Sequence, residues 1–293
     1  MDYYLQILLI VGIFITLTLS LNLINGFCGQ FSLGHAGFWG VGAYASAVYS
    51  VYFALPLPTP LNMIIALLVG FLSAALTGII IGVPCLRLRG DYLAIATLGF
   101  GEILRIIIMN TEAIGGPRGF TDIPKWANIY WVYAVALITI IFLFNLKRST
   151  HGRAIISIRE DEIAAENMGV NLFHYKLFSF IVGAGIAGMA GALFAHTQQY
   201  LNPNNFNFMW SVVILVMVIL GGLGSITGSV IGAVILTLFP EILRLMGGHF
   251  SDWRMTIYSL LLIILMLARP SGIFGSHELT FFSKKFMKTK GEA

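Results

Sequence analysis

The residues able to do chemistry are few and scattered. His35 stands five positions after Gln30 and three after Ser32, in a stretch rich in glycine. These three side chains can line a polar path for a solute, and a histidine hydrogen-bonded in a packed core fits the same pattern. Glu102 and Arg105 lie three apart, so one helix face would hold both as a pair. Both also lie near a helix end, from which long charged side chains reach an interface. Glu241 and Arg244 repeat the arrangement. Cys28 and Cys85 have no CxxC or metal-ligand spacing and read as small buried thiols. No nucleophile stands beside a base, and no His/Cys/Asp/Glu set has ligand spacing. The chemistry on offer is recognition and passage, with no catalytic residue and no metal.

Those residues must be positioned in a bilayer. Of 293 residues, 58% are hydrophobic and 10% charged, against about 25% charged in an ordinary soluble domain. No Asp, Glu, Lys or Arg occurs between Asp2 and Arg87, and none from Leu177 to Pro240. One crossing needs ~20 apolar residues, so each run holds several. A soluble enzyme, a nucleic-acid binder and a secreted disulfide scaffold are excluded. The first apolar stretch lacks a basic n-region and a small-residue cleavage site, and reads as a retained span.

The expected fold is all-α and polytopic. Nine crossings fit best, within a range of eight to ten: about Tyr4–Leu23, Phe31–Phe53, Leu61–Val83, Tyr92–Met109, Ile129–Leu146, Leu177–Ala195, Met209–Leu220, Ile226–Met246 and Met255–Ala268. The second is weakened by Gly29, Gly34, Gly37, Gly40 and Gly42. Gly221-Gly222-Leu223-Gly224 after the seventh is either a tight turn or a break within the membrane, tolerable only where the freed backbone is covered. With nine crossings, Arg87, Arg89, Lys147, Arg148, Arg153, Arg159, Lys176, Arg269, Lys284, Lys285, Lys288 and Lys290 share one side, leaving Arg118, Lys125, Arg244 and Arg254 opposite. The basic side is cytoplasmic, which places the amino terminus outside and the carboxyl terminus inside. Residues 1–275 form one transmembrane domain, and 276–293 a cytoplasmic basic tail suited to anionic lipid. Phe100-Gly-Glu-Ile-Leu-Arg105 and Phe239-Pro-Glu-Ile-Leu-Arg244 match at five of six positions. A parallel repeat of four spans and chance similarity of two helix ends both account for that.

The longest inside loop, 147–176, far exceeds the 2–8 residues typical of helix connections. Ser157 and Glu160 have capping-box spacing, and Glu160, Asp161 and Glu162 favour the positive end of a helix dipole. Gly169 suits the position past a helix end. The pattern predicts one helix of ~11 residues, roughly 16 Å long, with Ile163, Ala164 and Met168 on an apolar side. An interfacial amphipathic helix would carry Lys and Arg on its polar face. This acidic one reads better as a docking peg for a cytoplasmic protein.

The segment Glu162-Ile-Ala-Ala-Glu-Asn-Met-Gly169 resembles the E-A-A-x-x-x-G coupling segment of ABC importer permeases, with Ile163 interrupting the triplet. With His151-Gly-Arg-Ala-Ile-Ile-Ser-Ile-Arg159, Gly29-Gln-Phe-Ser-Leu-Gly-His-Ala-Gly37, Arg87-Leu-Arg-Gly-Asp-Tyr-Leu-Ala-Ile-Ala-Thr-Leu-Gly99 and Gly221-Gly-Leu-Gly-Ser225, the chain resembles the LivM family from about residue 20 to 275. These are permease subunits of branched-chain amino acid ABC transporters. The resemblance implies a multi-pass protein of the bacterial inner membrane. It also implies a second permease of the LivH type, two cytoplasmic ATPases that bind ATP and Mg, and a periplasmic binding protein delivering leucine, isoleucine or valine. Arg159, Glu160, Asp161, Glu162, Ala164, Ala165, Glu166 and Gly169 would then couple to the ATPases. The chain itself has no G-x-x-x-x-G-K-[ST] phosphate loop, so no cofactor is expected on it.

Gln30, Ser32, His35 and Glu102 are the candidates for the translocation path, since polar side chains within a bilayer are costly and mark function. Gly224, Gly228 and Gly232 repeat every four residues, and Ala184 with Gly188 and Ala187 with Gly191 do the same. Such stripes let helix backbones meet, within one subunit or at a moving interface. The outer loops Gly115-Gly-Pro-Arg-Gly119 and Asn202-Pro-Asn-Asn205 have turn chemistry and could also receive a delivery protein. A self-contained secondary transporter, a channel, a membrane-embedded enzyme, and an ABC permease for urea, amides or sugars are the competing readings.

Overall fold

The computed structural model describes residues 2–88, 90–245, 272, 273 and 275. The expected ninth crossing at Met255–Ala268, the basic tail and Arg89 lie outside the described residues. Among those described the chain is all-helical, with one isolated β-bridge between Phe120 and Leu201. Helix α1 (Asp2–Leu21) continues into a π-helical turn, Asn22–Phe27. There follow α2 (His35–Tyr52), α3 (Thr59–Cys85), α4 (Asp91–Met109), α5 (Ile129–Arg148), α6 (Thr150–Glu160), α7 (Glu162–Asn167), α8 (Leu172–Gln198), α9 (Phe208–Gly221) and α10 (Ile226–Leu245).

Six of these helices are long and apolar enough to cross a membrane: α1 with its π turn, α3, α4, α5, α8 and α10. The other two expected crossings differ. The second begins at His35 rather than Phe31, because residues 28–34 run without regular structure and Gly29 takes φ 72°. The seventh, α9, has only 14 residues.

Helix α1 is the axis of the bundle. Of its most apolar stretch 83% is buried, against 22% in α4. Its principal neighbours are α5, α8, α9 and α10. A second layer joins α8 to α2 and α3, the two most extensive helix contacts among the described residues. Glycine makes this layer possible. A Cβ on Gly42 would lie 2.2 Å from the Gly188 Cα, and one on Gly188 would lie 2.1 Å from the Gly70 oxygen. Three backbones therefore meet where side chains would hold them apart. The outward face of α3 carries Leu61, Leu68, Leu72, Leu76 and Ile80 exposed, as suits a surface against hydrocarbon.

Two elements start inside the bundle. His35, the first residue of α2, meets Ser20 (Nε2 to Oγ 2.7 Å), seven residues or ~10 Å before the π turn ends. Trp210, near the start of α9, stacks on Phe14 with ring centroids 5.3 Å apart, roughly halfway along α1. At one end, segments 110–128 and 199–207 close over the bundle. Phe120 and Leu201 exchange backbone hydrogen bonds of 2.8 and 3.0 Å, and Tyr200 Oη donates to the Arg118 carbonyl. At the other end stand α6 and α7.

Candidate functional site: a helical knob and a buried polar segment

The region expected to be one helix from Ser157 is two helices with a corner at Asp161. Ser149, not Ser157, caps the first: its Oγ accepts the Gly152 N–H at 3.0 Å. Ser157 lies within α6, where its hydroxyl donates to the Ala154 carbonyl. Asp161 is extended (φ −158°, ψ 111°), and its Oδ1 accepts the N–H groups of Ile163 and Ala164 at 2.9 and 3.0 Å. The chain bends because this carboxylate satisfies the free donors of a new helix start, so Ser157 and Glu160 form no capping box. Gly169 ends α7 with φ 84°, and the Val170 N–H returns to the Ala165 carbonyl, the usual closure of a helix end.

The knob is held firmly to the bundle. Ile155, Ile158 and Ala165 are buried beneath it, and a Cβ on Gly152 would lie 1.8 Å from the Leu146 oxygen at the α5–α6 corner. Glu162 pairs with Lys176 at the start of α8. Of the residues expected to couple, Glu160, Ala164, Glu166 and Gly169 face outward, whereas Ala165 faces inward. Asp161 serves as the cap, and Arg159 reaches toward the bundle, where its Nη1 donates to the Gly26 carbonyl at 2.8 Å. Ile163 and Met168 are 72% and 84% exposed, two large apolar side chains projecting from a polar surface.

Under this knob lies the turn between α9 and α10. Gly222 and Gly224 take φ 115° and 82°, so the stretch Gly221–Gly224 is a tight inter-helix turn rather than a broken span. Gly224 accordingly stands outside α10, off the helical stripe to which its spacing had assigned it. Its N–H donates to Asn22 Oδ1 (2.9 Å), and its carbonyl accepts from Lys147 Nζ (3.0 Å). Gly228 and Gly232 lie on α10 against α9, where a Cβ would come within 2.2 Å of the Gly221 oxygen and 2.3 Å of the Met217 oxygen. Gly188 belongs to the α2–α3–α8 contact.

The polar candidates fall in two places. Gln30, Ser32 and His35 are at most 3% exposed and sit on the segment leading into α2. Both amide atoms of Gln30, Ser32 Oγ and His35 Nδ1 have no hydrogen-bond partner among the described residues, although Asn25 Oδ1 accepts the Ser32 N–H at 3.3 Å. Buried polar atoms are rarely left this way, so the segment is suited to meeting water or a polar solute. Glu102 is apart from them, at the start of α9. Its Oε1 accepts the Phe208 N–H (3.0 Å) and its Oε2 accepts from Arg105 Nε (2.7 Å). Between the starts of α2 and α9 lies a cavity of about 10 Å³ lined by Ala36, Gly37, Glu102, Phe208 and Ser211, room for one water. Ser211 was not legible as a site residue. Its Oγ accepts the Ala36 N–H at 2.9 Å, and only the fold brings α9 to the start of α2.

A family model described as "Branched-chain amino acid transport system / permease component" matches residues 3–266. The high-affinity branched-chain amino acid transport system permease protein LivM of Salmonella typhimurium is 38% identical over 89% of this chain and 67% of its own length. The probable LivM of Methanocaldococcus jannaschii is 23% identical over 99% of both chains. The permease protein LivH of Salmonella typhimurium is 28% identical over 57% of this chain and 53% of its own. No solved structure matches significantly. With the family model spanning most of its length, the chain belongs to the family of branched-chain amino acid transport system permease components.

Proposed function

We propose that this chain is the transmembrane permease subunit of an ATP-driven importer of leucine, isoleucine and valine in a bacterial inner membrane. The observation that carries the reading is the α6–α7 knob, fixed to the bundle on one face and presenting Ile163 and Met168 on the other. Large apolar side chains held out from a polar surface are anchors for a protein partner, and cytoplasmic ATPases that bind ATP and Mg are the partner we assign. A LivH-type permease pairs with the chain within the bilayer, and a periplasmic binding protein meets the outer loops 115–119 and 202–205, which the Phe120–Leu201 bridge joins. Nine crossings then place the amino terminus outside and α6–α7 inside, where the basic residues gather. Residues 1–275 are the permease domain and 276–293 its lipid-contacting tail.

Transport requires two states that nucleotide binding favours unequally. The cavity between α2 and α9 is far smaller than an amino acid, so it would have to widen for a substrate to pass there. In our reading the route opens along Gln30, Ser32 and His35, with Glu102 at its far side. Alanine at each of the first three positions should alter the KM or maximal rate of leucine uptake. Unchanged kinetics in all three would remove this segment from the route.

The test of the whole reading is purification of the tagged chain from its native membrane in mild detergent. Wild type should recover a second hydrophobic permease and ATPase subunits in stoichiometric amounts. Met168→Asp should keep the permease and lose ATPase roughly tenfold or more, a contact worth about 1.4 kcal/mol. A chain recovered alone and still driving gradient-dependent uptake in liposomes would refute the importer.

A further inference from the structure

Among the contacts that join the knob to the bundle, one guanidinium reaches the end of α1. Arg159, in the last turn of α6, donates from Nη1 to the carbonyl of Gly26 at 2.8 Å. That carbonyl belongs to the π turn ending α1, where unpaired carbonyls and the negative end of the helix dipole favour a cation. π-helical turns inside or beside α-helices recur at functional sites. Lys147, from the end of α5, stands 5.5 Å over the Phe27 ring at the same helix end.

Glycines leave the arginine no slack. A Cβ on Gly29 would lie 3.0 Å from Arg159 Cγ, and one on Gly224 would lie 2.4 Å from Nη1. Both glycines take positive φ, 72° and 82°, so their backbones turn out of the way where the side chain passes. Gly224 is joined in turn to α1 through Asn22, and to α5 through Lys147. The contact therefore touches three segments at once: the end of α1, the segment entering α2, and the α9–α10 turn.

We propose that Arg159 is the positioning residue that transmits movement of the α6–α7 knob to the polar segment 28–34 and the α9–α10 turn. This rests on the importer reading above. It differs from a role in ATPase docking, since Nη1 bonds into the bundle while Nε and Nη2 pair with Glu160 of the knob itself. A rise of α6 toward the bundle pushes on Gly29 and Gly224. A withdrawal pulls on the Gly26 carbonyl. Either motion moves the backbone that carries Gln30 and Ser32, whose buried polar groups have no partner among the described residues.

The test uses the complete transporter in proteoliposomes with its binding protein and radiolabelled leucine, measuring ATP hydrolysed and leucine accumulated in the same sample. Arg159→Gln should retain bound ATPases while leucine moved per ATP falls at least about fivefold, the lower range of coupling between linked sites. Gly224→Ala crowds the same contact from the other side, away from the outward face of the knob, and should give the same fall. An unchanged ratio in both variants overturns the proposal. Loss of ATPase from Arg159→Gln with a normal ratio in Gly224→Ala overturns it too, by placing the arginine at the docking surface. Should Arg159→Gln fail to assemble, Gly224→Ala and Arg159→Lys are read by the same ratio. A wild-type preparation with no ATPase bound would instead refute the importer reading itself.

Discussion

Leucine at Gly188 should leave no folded protein in the membrane. A Cβ at this position lies 2.1 Å from the Gly70 oxygen and 2.5 Å from the Ala74 Cβ. Overpacking a core ordinarily costs about 1–3 kcal/mol because neighbouring side chains shift. Here the obstacle is backbone on two sides, since Gly42 approaches the same residue from α2. Helices α2, α3 and α8 would have to separate, and the expected cost lies above that range. Size-exclusion of the tagged chain in mild detergent reads the outcome. Wild type should run as one species and Gly188→Leu as aggregate or not at all, whereas a single sharp peak at wild-type yield would refute the close backbone packing. Gly228→Leu meets the Gly221 oxygen in the same way and should fail likewise.

The second large effect is expected at Asn22. Its amide spans two backbone groups about 200 positions away: Oδ1 accepts the Gly224 N–H at 2.9 Å, and Nδ2 donates to the Ser225 carbonyl at 3.0 Å. That carbonyl also accepts from the Ser229 N–H and hydroxyl, so it keeps partners when Asn22 is lost. The Gly224 N–H is buried and has no such second acceptor among the hydrogen bonds described. Asn22→Leu keeps the branching at Cγ but removes the acceptor and orphans this donor, at a cost of about 1–3 kcal/mol. The thermal midpoint of the purified chain in detergent should fall accordingly. Equal midpoints for wild type and variant would mean that the turn is held by other contacts.

How far the sequence could be read divides along a physical line. Hydrophobic run length found the long helices closely: Leu61–Val83 became Thr59–Cys85, and Tyr92–Met109 became Asp91–Met109. Apolarity sets the extent of a helix in lipid, and apolarity is written locally. Where polar contacts decide, local pattern misled. The spacing of Ser157 and Glu160 matched a capping box, yet Asp161 captured two backbone donors and turned the chain. Gly224 matched a four-residue stripe, yet its positive φ and the bond to Asn22 put it in a turn. Ser211 and Arg159 acquired their contacts from segments 175 and 133 residues away, which no local window contains. Glycine at 34 and 37 weakened the second span on paper, and α2 does start between them.

The buried position of α1 bears on how the protein is made. Thr16, Thr18, Ser20 and Asn22 are each fully buried, and the helices that cover them, α5, α8, α9 and α10, all follow later in the chain. Domains and segments emerge from the ribosome in order, amino terminus first. Helix α1 thus enters the bilayer before the helices that cover it, and its Asn22 amide waits for partners that come later in the chain. Asn22 cannot reach Ser225 before more than 200 further residues have been synthesised. A chain stopped short of α9 therefore holds α1 in an unfinished, polar-faced state, the kind of surface by which membrane quality control distinguishes an incomplete subunit from a finished one.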